Sequence, residues 1–283
     1  MTDEEQMPGA QPETRGTRGV ERVTIPALKL RKQTGPKIVM VTAYDCVAAR
    51  LADRAGVDVV LVGDSLGQTV LGYDTTVPVT LEEMLHHTRA VRRGLRRALL
   101  LADMPFGSYQ VSPEEAIHNA VRLLKEGGAQ AVKIEGGQPF VETVRRMTEA
   151  SIPVMGHLGL TPQSVHMLGG HRVQGQDPEA ARRILADARA LEEAGAIGIV
   201  LETIPAALAA EVTAALSIPT IGIGAGPDCD GQVQVWHDLI GLSQRTFRHA
   251  RRYAEVGTQI ENALRAYVEE VRQMQFPTRE HSL

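Results

Sequence analysis

A chain of 283 residues that is 43% hydrophobic, with a net charge of −4, can build one large core and carries no basic excess to draw it to nucleic acid or an anionic membrane. No apolar run is long enough to span a bilayer, and two cysteines, Cys46 and Cys229, give no disulfide framework and fit a reducing compartment. Residues 1–20 hold Asp, Glu, Pro and Gly without the basic-then-apolar order of a signal peptide, so they read as a disordered lead to a single domain over residues 21–283.

Behind that lead, residues 23–32 place Leu28 and Leu30 on a short amphipathic helix, and residues 38–42 form the first strand. A repeat of punctuation follows. Gly56, Gly128 and Gly195 each end a helix, and each is followed by an apolar strand. Two further strands open with Ile-Pro, at Ile152-Pro153 and Ile218-Pro219, where a missing N–H is harmless. Ser112-Pro113-Glu114-Glu115 is a helix start, with a serine cap, Pro at the first position and acids in the first turn. Residues 178–194 place Ile184, Leu185, Ala188 and Leu191 at helical spacing. Strands apolar on both faces that alternate with helices mean a parallel sheet covered by helices. Eight such strands, near Ile38, Val59, Ala98, Ala131, Val154, Ile197, Thr220 and Val233, predict an α/β fold, a closed (β/α)8 TIM barrel. A tail helix over residues 258–273, with Ile260, Leu264, Val268 and Val271 apolar, is expected to pack on the barrel or on a neighbouring subunit.

Four of these strands end in an acid: Leu61-Val62-Gly63-Asp64, Leu101-Ala102-Asp103, Lys133-Ile134-Glu135 and Val200-Leu201-Glu202. The C-terminal ends of barrel strands are where active sites are built. Taken singly, Asp64 and Ser65 could be turn or capping residues. Asp103 precedes Met104-Pro105-Phe106, which starts no helix, so a capping role fits it less well. Lys133 and Glu135 share one strand face, which a buried ion pair alone would explain. Several acids around one lysine repel each other, and a divalent cation such as Mg²⁺ is their natural partner. His157 reaches the same rim and reads equally as a structural group or a participant. His86, His87 and His118 fall in helical stretches and read as structural. The Gly-rich run from Met167 to Gly175 reads as a mobile active-site loop or a plain surface loop. The spaced glycines from Gly222 to Gly226 could let a ligand approach the backbone, a weak signal by itself.

Several motifs occur together and in order: Thr42-Ala43-Tyr44-Asp45, Gly63-Asp64-Ser65, Tyr73-Asp74-Thr75-Thr76-Val77-Pro78, Asp103-Met104-Pro105-Phe106, Val132-Lys133-Ile134-Glu135, the block from His157 to Ser164, Val173-Gln174-Gly175 and the run from Gly222 to Gly226. In this set the chain resembles the ketopantoate hydroxymethyltransferase family. The resemblance implies a barrel related to the phosphoenolpyruvate mutase and isocitrate lyase group. It also implies a cytoplasmic homo-oligomer, commonly a decamer, that acts early in pantothenate biosynthesis. The implied reaction moves a hydroxymethyl group from the cosubstrate 5,10-methylenetetrahydrofolate to the 2-oxo acid 3-methyl-2-oxobutanoate through a Mg²⁺-stabilised enolate. Carried over residue by residue, Asp64, Asp103 and Glu135 match the acids that hold one Mg²⁺ per subunit, some of them through water. Ser65 and Lys133 match substrate contacts, with Asp64 and Asp103 close by. Glu202 matches the general base, and His157 an active-site histidine counted here among the substrate contacts. Nucleic acid and membrane have no place in this picture. Two rivals stand beside it: a Mg²⁺-dependent 2-oxo acid or phosphonate lyase or mutase that needs no folate, and a non-catalytic barrel.

Overall fold

The computed structural model describes residues 21–243 and 247–283; the lead over residues 1–20 lies outside the described residues. Eight strands pair in parallel, each with the next in the chain, and the last closes on the first. They are β1 (Ile38–Thr42), β2 (Val59–Val62), β3 (Leu99–Asp103), β4 (Ala131–Glu135), β5 (Val154–Gly159), β6 (Gly198–Glu202), β7 (Thr220–Ile223) and β8 (Gly231–Gln234). The expected closed barrel is therefore present, strand for strand.

The helices lie between and beyond the strands. α1 (Ile25–Thr34) precedes β1, and α2 (Cys46–Arg54) joins β1 to β2. α3 (Leu66–Thr69) and α4 (Leu81–Gly94) lead to β3, α5 (Pro113–Arg122) to β4, and α6 (Val141–Glu149) to β5. α7 (Val165–Leu168) and α8 (Pro178–Glu193) lead to β6, and α9 (Ala206–Ala215) to β7. α10 (Trp236–Leu239) and α11 (Val256–Arg272) follow β8. Local chemistry sets their ends. The Ser112 side chain accepts from the Glu115 N–H at the start of α5, and Thr80 and Glu83 cap α4 reciprocally. Gly56, Gly128 and Gly195 adopt φ of 90°, 78° and 95°, the left-handed turn out of a helix.

Strand alternation divides the core in two. Leu99, Leu101, Met155, Ile221 and Val233 point into the barrel and pack on one another. Leu100, Ala102, Val132, Ile134 and Val154 point outward and are sealed by the helices, including Ile184, Ala188 and Leu191 of α8. Each fully buried leucine contributes about 1.5–3 kcal/mol. The inward phase carries a consequence for chemistry: in β3, β4 and β5 the same phase that buries Leu101, Ala131 and Met155 brings Asp103, Lys133, Glu135 and His157 inside.

Of the two placements expected for the tail helix, on the barrel or on a neighbouring subunit, the first is not observed. None of the residues of α11 is buried, and Ile260, Leu264, Tyr267, Val268 and Val271 are exposed, so the helix does not pack on its own barrel. Both cysteines are free, Cys229 buried and Cys46 half-buried.

The end of the barrel opposite the strand C-termini is tied by Asp58. Arg31 Nη1 lies 2.6 Å and Arg97 Nη2 2.8 Å from its two oxygens, and the Val39 N–H donates to it at 3.1 Å. Burial alone would raise the Asp58 carboxyl, but the hydrogen bonds from Arg31 and Arg97 outweigh it and hold the group below the usual carboxylate range. The stabilisation from a depressed carboxyl is present above its unfolded pKa, near 3.9, and is lost as pH falls through the folded value. Asp58→Ala is expected to destabilise the protein by roughly 2–4 kcal/mol in urea unfolding at pH 7, since two arginines and a backbone donor lose their partner. The deficit should shrink as the pH is lowered through 4 and below; an unchanged deficit at acid pH would contradict the assignment.

Candidate functional site

The strand ends converge as the sequence predicts. Asp64, Ser65, Asp103, Lys133, Glu135, His157 and Glu202 all line one cavity of about 800 Å³ at the C-terminal mouth. Lys133 sits at its floor. Its Nζ lies 3.1 Å from Asp103 Oδ1, 3.6 Å from Glu135 Oε1 and 3.2 Å from His157 Nδ1. Burial disfavours the ammonium, but the charges of Asp103, Glu135 and Asp64 outweigh burial and keep it protonated.

His157 bridges two acids. Nδ1 lies 3.2 Å from Glu135 Oε1, and Nε2 lies 3.2 Å from Glu202 Oε2, an ion-pair distance without hydrogen-bond alignment. Burial and Lys133 pull the imidazole pKa down, but Glu135 and Glu202 hold it up at about 9. The two acids thus favour the charged imidazole, against Lys133. Burial would raise the Glu135 carboxyl; His157 and Lys133 overcome this and keep it low.

Asp64 and Asp103 behave in the opposite way. Burial first, then the charges of Asp103 and Glu135, push the Asp64 carboxyl well above its ordinary range. Asp103 is also raised, by burial and Glu135, against the pull of Lys133. Asp103 Oδ2 accepts the Asp64 N–H at 3.0 Å, which locks the two acids side by side. A Cβ at Gly63 would come within 2.8 Å of Ser65 Oγ and 3.5 Å of Asp103 Oδ2, so only glycine fits the backbone between them. Ser65 Oγ lies 2.9 Å from the Tyr44 hydroxyl.

The end of β6 is strained. Thr203, next to Glu202, has φ of 50°, a conformation rare for a β-branched residue. Leu160 donates to the Glu202 carbonyl at 2.8 Å, and a Cβ at Gly159, where φ is 93°, would collide with that carbonyl. Glu202 keeps 18% of its side chain open to the cavity, whereas the other acids are 3% exposed.

One residue that the sequence did not single out organises this cluster. Gln163 Nε2 donates to Asp64 Oδ2 at 2.8 Å and to the Met104 carbonyl at 3.0 Å, while its backbone N–H donates to Glu135 Oε2 at 2.9 Å. The Tyr109 hydroxyl donates to Gln163 Oε1 at 2.7 Å, which fixes the amide. Gln163 lies inside the block from His157 to Ser164, but a glutamine after Thr-Pro has no distinguishing chemistry in sequence.

Among the described residues no three or more His, Cys, Asp or Glu side chains close into a ready-made metal cage. Lys133 occupies the centre instead. The oxygens still free to take a cation are Oδ1 of Asp64, which accepts no hydrogen bond among the described residues, and Oδ1 of Asp103, which is ion-paired but accepts none. Both oxygens of Glu135 are engaged, by Lys133 and His157 on one side and Gln163 on the other. Two buried, mutually repelling carboxylates with a free oxygen each suit Mg²⁺, which binds through one or two carboxylates and keeps places for water and substrate oxygens.

The run from Gly222 to Gly226 borders this cavity through Ile223. Gly224 and Gly226 line a neighbouring cavity of about 480 Å³ with Lys37 and Cys229, which shares His249 with the first, and Gly222 leaves room for Cys229 Sγ. The loop from Met167 to Gly175 does reach the mouth, through His171.

A closed parallel barrel with buried carboxylates, a lysine and a histidine at its C-terminal mouth defines an α/β-barrel enzyme. Its fold matches 2,3-dimethylmalate lyase, a member of the phosphoenolpyruvate mutase and isocitrate lyase superfamily, with a TM-score of 0.57 at 18% identity over 91% of each chain. The family model for ketopantoate hydroxymethyltransferase matches residues 22–279. The 3-methyl-2-oxobutanoate hydroxymethyltransferase of Carboxydothermus hydrogenoformans is 56% identical over 93% of this chain and 96% of its own. That of Moorella thermoacetica is 59% identical over 92% and 97%. The chain belongs to the ketopantoate hydroxymethyltransferase family.

Gln163→Leu keeps the volume and removes the amide that orients Asp64. Partners of this kind typically govern metal affinity by 10–100-fold. The variant is expected to lower Mg²⁺ affinity by about that factor in calorimetric titration; unchanged affinity would show that Asp64 needs no such support.

Proposed function

We propose that the chain transfers a hydroxymethyl group from 5,10-methylenetetrahydrofolate to 3-methyl-2-oxobutanoate, consuming one water and giving 2-dehydropantoate and tetrahydrofolate, as a step of pantothenate biosynthesis. The observation that carries this reading is the pairing of free carboxylate oxygens on Asp64 and Asp103 with a protonated Lys133 and a cavity-facing Glu202 at one mouth. Family membership and the relatives' names support the choice of reaction.

When bound, Mg²⁺ supplies Lewis acidity that polarises the 2-oxo group and acidifies the adjacent C–H. Asp64, Asp103 and Glu135 would hold it. The remaining steps belong to the side chains. Ser65, placed by Tyr44, donates to the substrate carboxylate. Lys133 contributes fixed positive charge where the oxo oxygen gains negative charge. Water opens the carrier's methylene bridge, both C–N bonds breaking to leave tetrahydrofolate and a one-carbon aldehyde. Glu202 removes the proton from C3, the enolate carbon adds to the aldehyde carbon, and the aldehyde oxygen takes up a proton to become the new hydroxyl. Glu202 suits the base role better than His157 does. The Nε2 of His157 is buried against Glu202, and the surrounding acids favour the charged imidazole, which cannot take up a proton. His157 instead holds the Glu202 carboxylate and ties it to Glu135.

This reading includes a cytoplasmic homo-oligomer. The exposed apolar side of α11, with Leu264 and Tyr267, is consistent with an assembly of chains.

Incubation with 3-methyl-2-oxobutanoate, methylenetetrahydrofolate and Mg²⁺ is expected to yield 2-dehydropantoate. No hydroxymethylated product would sink the reading, and turnover of a 2-oxo acid or phosphonate without folate would favour a lyase or mutase. Glu202→Gln is expected to keep 3-methyl-2-oxobutanoate binding and to slow exchange of its C3 proton into deuterium oxide by about 10²–10⁴-fold. Undiminished exchange would assign the base elsewhere.

A further inference from the structure

The cavity is larger than one small acid requires. At about 800 Å³ it falls within the range of roughly 300–1,000 Å³ typical of drug-sized ligands, well beyond what a branched C5 acid fills. The acids that face the 2-oxo acid occupy the side of the mouth formed by β2 to β6. The remaining space lies toward β8, α10 and the segment after β2, where a few polar side chains stand among Val233, Val235 and Leu242.

Four polar groups there lack partners among the described residues. Asp238 on α10 is 7% exposed, lines the cavity, and its carboxylate has neither a hydrogen bond nor an ion pair. Beside it, Gln234 Oε1, His237 Nδ1 and Thr76 Oγ1 are buried atoms without a hydrogen-bond partner, and all three residues line the same cavity. Gln234 Nε2 donates to the His249 carbonyl at 3.1 Å, which leaves Oε1 as the amide's free end. The Trp236 N–H donates to Thr42 Oγ1 at 3.0 Å and anchors α10 to the end of β1, so Asp238 is held rigidly. Buried polar groups are ordinarily satisfied, and a group of unsatisfied ones around one cavity marks a ligand's place.

Charge and shape choose the ligand. The Asp238 carboxylate and the free Gln234 amide oxygen favour a donor over an anion and would repel the 2-oxo acid or an acidic tail. What fits is a planar ring that presents adjacent N–H donors in a fork, because one carboxylate accepts two parallel N–H bonds. We propose that the sector lined by Thr76, Gln234, His237 and Asp238 is a subsite for a 2-amino-4-oxopyrimidine ring, the pterin end of the one-carbon carrier, with Asp238 accepting from the ring N–H and the 2-amino group. The proposal rests on the folate-dependent reading of the site. The carrier then enters across β8 and α10, with its methylene carbon directed toward the carboxylates and its acidic tail toward solvent.

The test uses the full-length protein with two readouts. Asp238→Asn is expected to raise the KM for methylenetetrahydrofolate, and to weaken tetrahydrofolate binding in calorimetry, by about ten- to hundredfold. Binding of 3-methyl-2-oxobutanoate should stay within about twofold, since the two subsites share no partner. Independently of any variant, free pterin is expected to compete with tetrahydrofolate for the wild-type protein, and its 2-oxo analogue, which lacks the 2-amino group, to compete at least about tenfold less well. Carrier affinity unchanged in Asp238→Asn, or equal competition by the two pteridines, would overturn the subsite. Failure of tetrahydrofolate to bind the wild-type protein at all would overturn the folate-dependent reading itself, a result distinct from either of those.

Discussion

A single ammonium buried among carboxylates sets the terms for the whole mouth of the barrel. Lys133 is 4% exposed and touches Asp103, Glu135 and His157. A charge taken this far out of water is stable only when it is paired. The partners overcompensate. Among the described residues Asp64, Asp103, Glu135 and Glu202 meet Lys133 and His157 as their close cationic partners, and burial and mutual repulsion drive up the carboxyls of Asp64 and Asp103. A cluster built for stability alone would balance its charges. This one leaves an imbalance that one divalent cation removes.

The rest of the structure keeps that imbalance in place. The inward phase of β3, β4 and β5 aims the charged side chains at the axis, on top of the apolar layers formed by Leu101, Ala131 and Met155. Gln163 and Tyr109 then fix the acids from behind by hydrogen bonds. Strain appears at the edge of the site, at Thr203, while the opposite end of the barrel closes on the satisfied Asp58 cluster. This is the usual division of a barrel, with stability at one end and chemistry at the other.

Much of this was legible in the sequence, for a physical reason. Parallel strands buried on both faces are short apolar runs, and Gly56, Gly128 and Gly195 mark where each preceding helix must turn. An acid that ends such a run stands at the C-terminal rim, so Asp64, Asp103, Glu135 and Glu202 could be placed together before any coordinates. The illegible features depend on contacts between distant segments. Gln163 reaches Asp64 across 99 positions of sequence, and nothing in its neighbours announces that. Asp238 follows the last strand on a four-residue helix, where an acid looks like an ordinary first-turn residue. The glycine run from Gly222 to Gly226 was readable as a place of close approach; that Gly222 makes room for Cys229, while Gly224 and Gly226 border a second cavity, was not. The apolar stripe of α11 was readable as a helix face, but not as one left uncovered by its own barrel.

The central claim is that Asp64, Asp103 and Lys133 jointly hold a divalent cation and the 2-oxo acid. Mn²⁺ favours the same oxygen ligands as Mg²⁺ and relaxes nearby protons, so it reports on both at once. The most direct measurement is the Mn²⁺-induced relaxation of the methyl protons of 3-methyl-2-oxobutanoate in the presence of the protein. The account expects strong relaxation with the wild-type chain and its loss in the Asp64→Asn/Asp103→Asn double variant. Equal relaxation in the two proteins, or none in the wild type, would contradict it.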